Sequence, residues 1–266
     1  MSVHRESVAL GVVIPAAGRG TRSGESCPKS YRRIGGDSAL NRVIRLYRSW
    51  NKECPIVIVH HADHAALLEA SIYRGANVYT AVGGVERQES ILRGLRFLSR
   101  MERSPSHVFI HCAARPFTTV RLLDSLLESL IQYPTMGVSP AIPVVDTLKR
   151  IDSNGFISTT VPRDGIFRGQ TPQGFDLKTI LELHEQAAIM GKLFTDDSCL
   201  FEDAGLPVRV VRGDLQNMKL TYYADLEEAD RFLRGYRSPG MEFDVGVDHG
   251  CVTHEFAPGE EIPPLL

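Results

Sequence analysis

The chain has 266 residues with a formal net charge of -2, 43% hydrophobic residues and 23% charged residues, and its pI is about 6.5. A nearly neutral chain lacks the basic field that attracts nucleic acid or an anionic membrane surface, so neither partner is expected. Five cysteines without metal-ligand spacing favour free thiols, and without a signal-peptide pattern or a long apolar stretch we expect a cytoplasmic protein.

Short apolar runs typical of strands alternate with longer helical patterns along the chain. The predicted strands are 8–14, 56–60, 77–81, 107–111, 137–140 and 208–211, and the predicted helices are 41–50, 65–72, 88–98, 120–131 and 223–232. Near-continuous apolar strands separated by helices are typical of a parallel sheet that is covered on both faces. The sequence therefore predicts an α/β fold with a mostly parallel, doubly wound sheet, in which ligands bind beyond the carboxyl ends of the strands.

The first predicted strand ends in a loop of small residues, Pro15-Ala16-Ala17-Gly18-Arg19-Gly20-Thr21-Arg22, which is followed by Pro28-Lys29. Glycine and alanine let a ligand approach the backbone, whose successive N–H groups can form a concave anion site. Arg22 and Lys29 add fixed positive charge, as phosphate binding requires. The loop matches neither the P-loop nor the full dinucleotide-binding pattern, and the alternative interpretation is a strand–helix turn with surface cations.

Two further loops follow predicted strands. Gly83-Gly84 precedes a helix that contains Ser90, whose hydroxyl can bind a nucleotide base or cap the helix. In Cys112-Ala113-Ala114-Arg115, the arginine can bind a phosphate or pair with a carboxylate, whereas an isolated thiol is more often inert. Thr195-Asp196-Asp197 is typical of a helix N-terminus. The loops and cations together favour phosphoryl or nucleotidyl transfer, which depends on positioning and charge neutralisation.

Residues 143–175 interrupt the alternation with two strand-like pieces, 147–151 and 156–161, around Ser153-Asn154-Gly155. Asn-Gly between β-type segments is a strong hairpin signal, and long excursions are usually functional. We predict a protruding β-arm over 143–175 that packs on a second subunit, and the alternative is a flap that packs on its own chain. Arg237-Ser238-Pro239-Gly240 is typical of a linker, which separates a predicted domain of residues 1–236 from a tail of residues 237–266.

Eight sequence blocks, taken in order, carry a resemblance to a known family. They are PAAGRGTR, PKSY, GGVERQES, CAARP, PVVDTLKR, QTPQGF, TDDSCLFE and NMKLT, and they run from about residue 8 to residue 232. In this order the blocks resemble 2-C-methyl-D-erythritol 4-phosphate cytidylyltransferases, enzymes of non-mevalonate isoprenoid precursor synthesis. The resemblance implies a nucleotidyltransferase (Rossmann-like) fold, Mg²⁺ or another divalent cation, CTP and a polyol phosphate as substrates, pyrophosphate release, and a homodimer formed through the arm.

The resemblance also implies roles for individual residues. Arg22 and Lys29 match the pair that stabilises the transition state, and Arg163 and Lys219 match the residues that position the acceptor phosphate, so these four are the predicted catalytic residues. Seven residues are expected around the nucleotide: Ala16, Ala17, Gly18, Gly20, Gly84, Arg87 and Ser90. Three are expected at the acceptor: Arg115, Thr147 and Thr171.

The chain departs from the family pattern at Cys112 and, where apolar residues are usual, at Ser23 and Arg32-Arg33. Cys112 stands where the family has an aspartate, and a thiol is a poor ligand for a hard cation such as Mg²⁺, so the metal ligands stay unassigned. Residues 241–259 resemble the opening of a 2-C-methyl-D-erythritol 2,4-cyclodiphosphate synthase domain, with Val252 at its acid position, and we interpret this tail as a remnant. Two alternatives stay open: transfer to another polyol phosphate such as ribitol 5-phosphate, and a nucleotide-binding relative with impaired catalysis.

Overall fold

A computed structural model describes residues 8–18, 28–73 and 75–235. Its strands are β1 (Leu10–Ala16), β2 (Arg33–Ile34), β3 (Asp37–Ser38), β4 (Ile56–His60), β5 (Val78–Val82), β6 (His107–Ile110), β7 (Gly137–Pro143), β8 (Leu148–Ile151), β9 (Ile157–Val161), β10 (Phe167–Gly169), β11 (Gln173–Asp176) and β12 (Val208–Arg212). Its helices are α1 (Ala39–Trp50), α2 (Ala65–Ser71), α3 (Arg87–Ser99), α4 (Val120–Gln132), α5 (Leu177–Met190), α6 (Ser198–Asp203) and α7 (Tyr223–Gly235). Among these described helices, none is long and apolar enough to cross a bilayer. The predicted linker and tail, residues 237–266, lie outside the described residues.

Eight strands form the central sheet, in the order β10-β7-β11-β6-β1-β4-β5, and β12 also pairs with β7. β1 runs parallel to β4 and β6, β4 runs parallel to β5, and β7 runs parallel to β12. β11 is antiparallel to β6 and β7, and β10 is antiparallel to β7. The sheet is therefore mainly parallel, as predicted, and the carboxyl ends of β1, β4, β5 and β6 share one edge.

Side chains of β1 alternate between two buried clusters, because successive residues of a strand point to opposite faces of a sheet. Val12 and Ile14 pack in a cluster with residues of α1, α2 and α4, whereas Val13 packs with residues of α3, α5 and α6. Helices thus cover both faces, which confirms the doubly wound arrangement. Burial on both sides also explains why the strand is a continuous apolar run rather than an alternating one.

Polar side chains set the starts of the helices that flank the sheet. Ser38 Oγ accepts a hydrogen bond from the Asn41 N–H at 3.0 Å, where α1 begins. Asp176 Oδ1 accepts from the Thr179 N–H at 2.8 Å, where α5 begins. α5 is not among the helices that the sequence patterns predict, although a capping aspartate before an apolar segment is a recognised signal for a helix start. α6 follows the helix start that is predicted at Thr195-Asp196-Asp197.

The protruding arm is shorter than predicted. β8 and β9 form an exposed antiparallel hairpin, whose turn is closed by Asp152 Oδ1 accepting from the N–H groups of Asn154 and Phe156, each at 2.9 Å. Gly155 has a φ of 86° in this turn, a conformation that glycine adopts without strain. β10 and β11, which the prediction placed in an arm of 143–175, belong to the central sheet. β11 joins it because Phe175 is buried in its core, and β10 joins it by antiparallel pairing with β7.

Candidate functional site

The carboxyl ends of β1, β4 and β5 meet the start of α3 at one tightly packed point. The Gly83 N–H donates to the His60 carbonyl at 2.7 Å. A Cβ added to Gly83 would lie 2.7 Å from Ser90 Oγ and 2.8 Å from the Ala17 Cβ, which is closer than real Cβ atoms approach. Only glycine fits there, so the structure brings the predicted nucleotide residues Ala17 and Ser90 together. Gly83 itself is absent from the predicted site residues, although paired glycines at the end of a strand are a signal of close backbone approach.

Ser90 braces the glycine loop from within α3. Its hydroxyl donates to the Glu86 carbonyl and accepts from the Gly84 N–H, both at 3.1 Å. Because α3 begins at Arg87 with Glu86 in the N-cap position, the alternative that Ser90 caps this helix is wrong. The hydroxyl instead fixes the backbone of Gly84, the glycine that the sequence places at the nucleotide.

Arg87 forms an ion pair with Asp197, whose carboxylate is buried while the guanidinium stays partly exposed. Its Nη2 lies 2.6 Å from Oδ2 and its Nη1 lies 3.4 Å from Oδ1, and His184 Nε2 lies 3.3 Å from Oδ1. Burial alone would raise the pKa of Asp197, but Arg87 and His184 outweigh it and hold this pKa below its ordinary value. The pair joins the start of α3 to the start of α6. The predicted capping of α6 comes from Asp196, whose Oδ1 accepts from the Cys199 N–H at 3.2 Å.

The loop after β6 is tied to the turn that precedes β11. The Cys112 N–H donates to Thr171 Oγ1 at 3.0 Å. Arg115 Nη1 donates to the Asn217 carbonyl at 2.6 Å, and its Nη2 donates to the Gly169 carbonyl at 3.3 Å. Two predicted acceptor residues, Arg115 and Thr171, therefore belong to one connected group of loops. Arg115 uses its guanidinium in this structure to clamp two of those loops together.

Lys219 lies beside the same loop, on the segment between β12 and α7. The Leu220 N–H donates to the Ala114 carbonyl at 2.8 Å, which joins this segment to the loop after β6. The Lys219 side chain is exposed, so its ammonium group is open to an incoming anion. The structure thus assembles Arg115, Thr171 and Lys219 at the carboxyl edge of the sheet.

Other predicted site residues are not joined to this group. Thr147 and Arg163 are exposed at the base of the arm, where Arg163 Nη1 donates to the Val145 carbonyl. Lys29 begins a short 3₁₀ turn, Lys29–Tyr31. Ala16 ends β1, and Gly18 closes the first described stretch. Two predicted residues lie outside the described residues: Gly20 and Arg22. The roles assigned to all of these residues stay predictions.

His111 is a fully buried histidine beneath the loop after β6. Its Nδ1 lies 3.0 Å from the Tyr47 hydroxyl, and its Nε2 lies 3.2 Å from both the Arg115 carbonyl and Thr118 Oγ1. Burial, reinforced by the nearby Arg115 charge, lowers the pKa of His111 from 6.5 to about 3. The ring is therefore neutral at physiological pH and supports the loop from below.

A neutral buried histidine makes stability depend on pH. Between pH 6.5 and about 3, the unfolded chain holds a proton at this ring that the folded chain lacks, so the free energy of unfolding falls as the pH falls. Each pH unit in this window costs about 1.4 kcal/mol. Denaturant titrations of the wild type and of His111→Gln over this range are expected to show a shallower pH dependence for the variant. Parallel curves for the two proteins contradict this origin of the acid sensitivity.

No cluster of side chains in the described part of the protein could hold a divalent cation without ligands from a substrate. Among residues 8–18, 28–73 and 75–235, no three His, Cys, Asp or Glu side chains are grouped so that they could hold a metal ion. Cys112 instead lies within electrostatic range of two guanidinium groups, those of Arg87 and Arg115. Mg²⁺ requires oxygen ligands, and positive neighbours repel it. No metal ligand is therefore assigned in the described part of the protein.

Known proteins share both the sequence pattern and the fold of this chain. The family model of 2-C-methyl-D-erythritol 4-phosphate cytidylyltransferase (IspD) matches residues 10–235. The structure of a 4-diphosphocytidyl-2C-methyl-D-erythritol synthase from Anaerococcus prevotii has a TM-score of 0.71 and 28% identity, over 86% of this chain and 100% of its own. A cytidylyltransferase from Thermus thermophilus has a TM-score of 0.70 and 28% identity, over 84% and 98%. The chain thus has the Rossmann-like fold of the nucleotidyltransferases.

The curated relatives are longer than this chain. A protein from Rhizobium leguminosarum named "Bifunctional enzyme IspD/IspF" is 41% identical over 264 residues, which is 97% of this chain and 63% of the relative. Its counterpart from Agrobacterium fabrum is 40% identical, over 98% and 64%. The chain therefore spans somewhat less than two thirds of the length of these relatives. On the family match over residues 10–235, the chain belongs to the 2-C-methyl-D-erythritol 4-phosphate cytidylyltransferase family.

Proposed function

We propose that this chain transfers the cytidylyl group of CTP to 2-C-methyl-D-erythritol 4-phosphate in the cytoplasm, with release of pyrophosphate. The observation that carries the proposal is the family match over residues 10–235, because it spans all the loops at the carboxyl edge of the sheet. Structures of the same family align with this chain over essentially their whole length. The proposal concerns this reaction alone. Its test is the release of pyrophosphate from CTP with the purified chain.

The proposed chemistry is an in-line displacement at phosphorus. An oxygen of the acceptor phosphate attacks the α-phosphorus of CTP, and a new P–O bond forms there. The bond from that phosphorus to the oxygen bridging to the β-phosphate breaks, and pyrophosphate leaves with the electron pair. Negative charge shifts onto the phosphoryl oxygens in the transition state, and cations in fixed positions stabilise it. Arg22 and Lys29 supply that charge, while Arg163 and Lys219 hold the acceptor phosphate.

Nucleotide binding is assigned to the loops that follow β1 and β5 at the carboxyl edge of the sheet. The glycine loop that Ser90 braces has no side chains at Gly83 and Gly84, so a flat base can approach its backbone closely. Mg²⁺ belongs to the proposal as an ion held by the oxygens of the triphosphate, which are hard ligands of the kind it prefers. When bound there, it neutralises part of the phosphate charge.

The acceptor is the finer part of the proposal, because the nucleotide loops do not distinguish one polyol phosphate from another. Ribitol 5-phosphate is the alternative acceptor, since it presents the same attacking group on a different carbon chain. Pyrophosphate release measured with both acceptors separates the two possibilities. A higher kcat/KM with ribitol 5-phosphate replaces the acceptor in the proposal and leaves the chemistry unchanged.

Cys112 motivates the second candidate function, a nucleotide-binding protein with impaired catalysis. Its N–H is anchored by Thr171, and its thiol stands near Arg87 and Arg115, where a carboxylate would offset positive charge. We expect the wild type to turn over, because the Arg115 guanidinium donates to two backbone carbonyls, and its positive charge can still attract the substrate phosphates. The measurement is steady-state turnover of the wild type, Cys112→Asp and, as a neutral control of similar size, Cys112→Ser. If the wild type binds CTP but only Cys112→Asp turns over, the second candidate is correct.

We also propose that two copies of the chain associate through the arm. Apolar side chains on and beside the hairpin are exposed in the single chain: Val145 by 67%, Phe156 by 71% and Ile157 by 62%. Exposed apolar patches of this kind mark interaction sites, and paired strands leave edges that can bind a partner. A two-fold axis would make this contact self-complementary, and Arg163 would then serve the site of the neighbouring chain.

Mixed dimers test whether Arg163 acts across the interface. Chains carrying Arg163→Ala and chains carrying Lys29→Ala are each expected to be nearly inactive alone. When they are mixed, one site of each mixed dimer holds both intact residues, so activity is expected to return in part. Native mass spectrometry confirms that mixed dimers have formed. Mixed dimers without recovered activity place Arg163 in the site of its own chain, and a monomer at working concentration excludes the arm as an interface.

A further inference from the structure

Asn217 is a buried asparagine at the centre of the acceptor half of the site. It is 0% exposed and lies on the segment between β12 and α7. Its Nδ2 donates to the Thr171 carbonyl at 3.0 Å, and its Oδ1 accepts from Thr118 Oγ1 at 2.9 Å. Its backbone carbonyl accepts from Arg115 Nη1 at 2.6 Å. One residue is thus bonded to the loop after β6 and to the turn before β11.

These bonds connect Asn217 to three predicted site residues. Arg115 and Thr171 contact it directly, and Lys219 follows it by two residues on a segment that the Ala114 carbonyl also holds. Gln170 completes the connection, because its Nε2 donates to the Asp214 carbonyl at 2.8 Å and its Oε1 accepts from the Asp214 N–H at 3.1 Å. The start of the segment is thereby fixed to the same turn.

We propose that Asn217 is a positioning residue that holds Lys219, Thr171 and Arg115 in register for the acceptor phosphate. The assignment of these three residues to the acceptor rests on the proposed function. Asn217 does not itself reach the substrate, because it is fully buried. A displacement of about 1 Å in a positioning group can cost about 10²-fold in rate, so loosening this residue is expected to act on turnover.

An asparagine is needed because the surroundings demand a donor and an acceptor from one side chain. The Thr171 carbonyl needs an N–H, and the Thr118 hydroxyl needs an acceptor. Aspartate has nearly the same shape but offers acceptors alone when it is ionised, whereas alanine offers neither group. Comparing Asn217→Asp with Asn217→Ala therefore separates the effect of losing the N–H donor from the effect of losing the shape of the side chain.

CTP binding by the glycine loop serves as the internal control for the effect of Asn217 on the acceptor. Ala17, Gly83 and Ser90 pack on one another, and the bonds of Asn217 described above reach none of them. Loss of Asn217 is therefore expected to raise KM for the polyol phosphate and to lower kcat, while the dissociation constant for CTP stays unchanged. A general loss of stability would change the binding of both substrates and not that of the polyol phosphate alone.

The experiment compares wild type, Asn217→Ala and Asn217→Asp with a matched control, Asn41→Ala. Asn41 is also a buried asparagine whose side chain both accepts and donates, from the Tyr73 N–H at 2.8 Å and to Asp37 at 3.0 Å, but it lies at the start of α1. For each protein, calorimetric titration gives the CTP dissociation constant and steady-state kinetics give the acceptor kcat and KM. Amide hydrogen exchange is followed in peptides covering 213–221 and 83–90.

Both Asn217 variants are expected to lose about tenfold to hundredfold in acceptor kcat/KM and to exchange faster in 213–221 only, whereas Asn41→Ala changes neither. Wild-type behaviour of Asn217→Asp, or equal effects on CTP and acceptor, overturns the proposal. If Asn217→Ala does not fold, Asn217→Ser takes its place. If the wild type turns over no polyol phosphate, the proposed function fails by itself, and unchanged exchange in 213–221 then overturns the positioning role.

Discussion

Lys29→Ala is expected to lower kcat by about 10²–10³-fold, the usual effect of removing one fixed group that stabilises transition-state charge. CTP affinity is expected to change much less, because charge moves onto the phosphoryl oxygens only as the α-phosphorus is attacked. Arg22→Ala is expected to behave in the same way. The measurement is kcat from steady-state kinetics at saturating CTP and acceptor, together with the CTP dissociation constant from direct titration.

Lys178→Ala is the matched control for this prediction. Lys178 lies on α5 with its side chain 85% exposed, and its ion pair with Glu182 has a separation of 4.0 Å. Its removal is expected to leave kcat and CTP affinity at wild-type values. Small and equal effects of Lys29→Ala on both quantities would assign Lys29 to ordinary surface charge.

Asp197→Ala is expected to lower the free energy of unfolding by about 1–3 kcal/mol, because it removes the buried carboxylate that pairs with Arg87 and His184. The Arg87 side chain keeps 37% exposure while Asp197 keeps 1%. Water therefore screens the guanidinium that remains in the variant, and the loss of stability stays below that of a fully buried ion pair. The loss also frees the start of α3, next to the glycine loop. Denaturant unfolding at neutral pH measures the effect.

Asp203→Ala provides the comparison for that measurement. Asp203 also lies on α6 and pairs with Lys192 at 2.8 Å, but both side chains are more than 40% exposed. Exposed pairs contribute about 0–1 kcal/mol, so this variant is expected to unfold close to the wild type. The pKa of Asp197 is lowered in the folded chain. The stability that its carboxylate contributes is therefore present at neutral pH, and it is lost as the pH falls through the lowered pKa of the folded state. If Asp197→Ala and Asp203→Ala destabilise the protein equally, the buried Asp197 carboxylate does not have the stabilising role assigned to it.

The parallel half of the fold follows from the sequence because its signals are local. Apolar runs predict β1, β4 and β6, since burial on both faces leaves no polar positions in a strand. The antiparallel β11 cannot be predicted in this way. Its four residues pair with β6 and β7 from a segment that begins beyond the arm, and its place in the sheet depends on contacts distant in sequence. The helix α5 is different, because its capping aspartate was an available signal.

The candidate site likewise has residues that local sequence motifs predict and residues that only the folded structure shows. The loop motifs predict Ala17, Gly84 and Ser90, which the structure brings to one point. The buried partners of the site, Asp197 and Asn217, lie in the blocks TDDSCLFE and NMKLT, but their residue types do not show that they are buried. Their importance comes from burial and from bonds to distant segments, which only the folded chain displays.

The most direct test of the proposed cytidylyl transfer is the identity of the product formed from CTP, 2-C-methyl-D-erythritol 4-phosphate, Mg²⁺ and the purified chain. Phosphorus NMR follows the reaction, with Lys29→Ala as the inactive control. Cytidylyl transfer predicts two new, mutually coupled diphosphate resonances that grow together with free pyrophosphate in equal amounts. Pyrophosphate without the coupled pair would indicate hydrolysis of CTP. No reaction with this acceptor or with ribitol 5-phosphate, by well-folded protein that binds CTP, would contradict the proposed function.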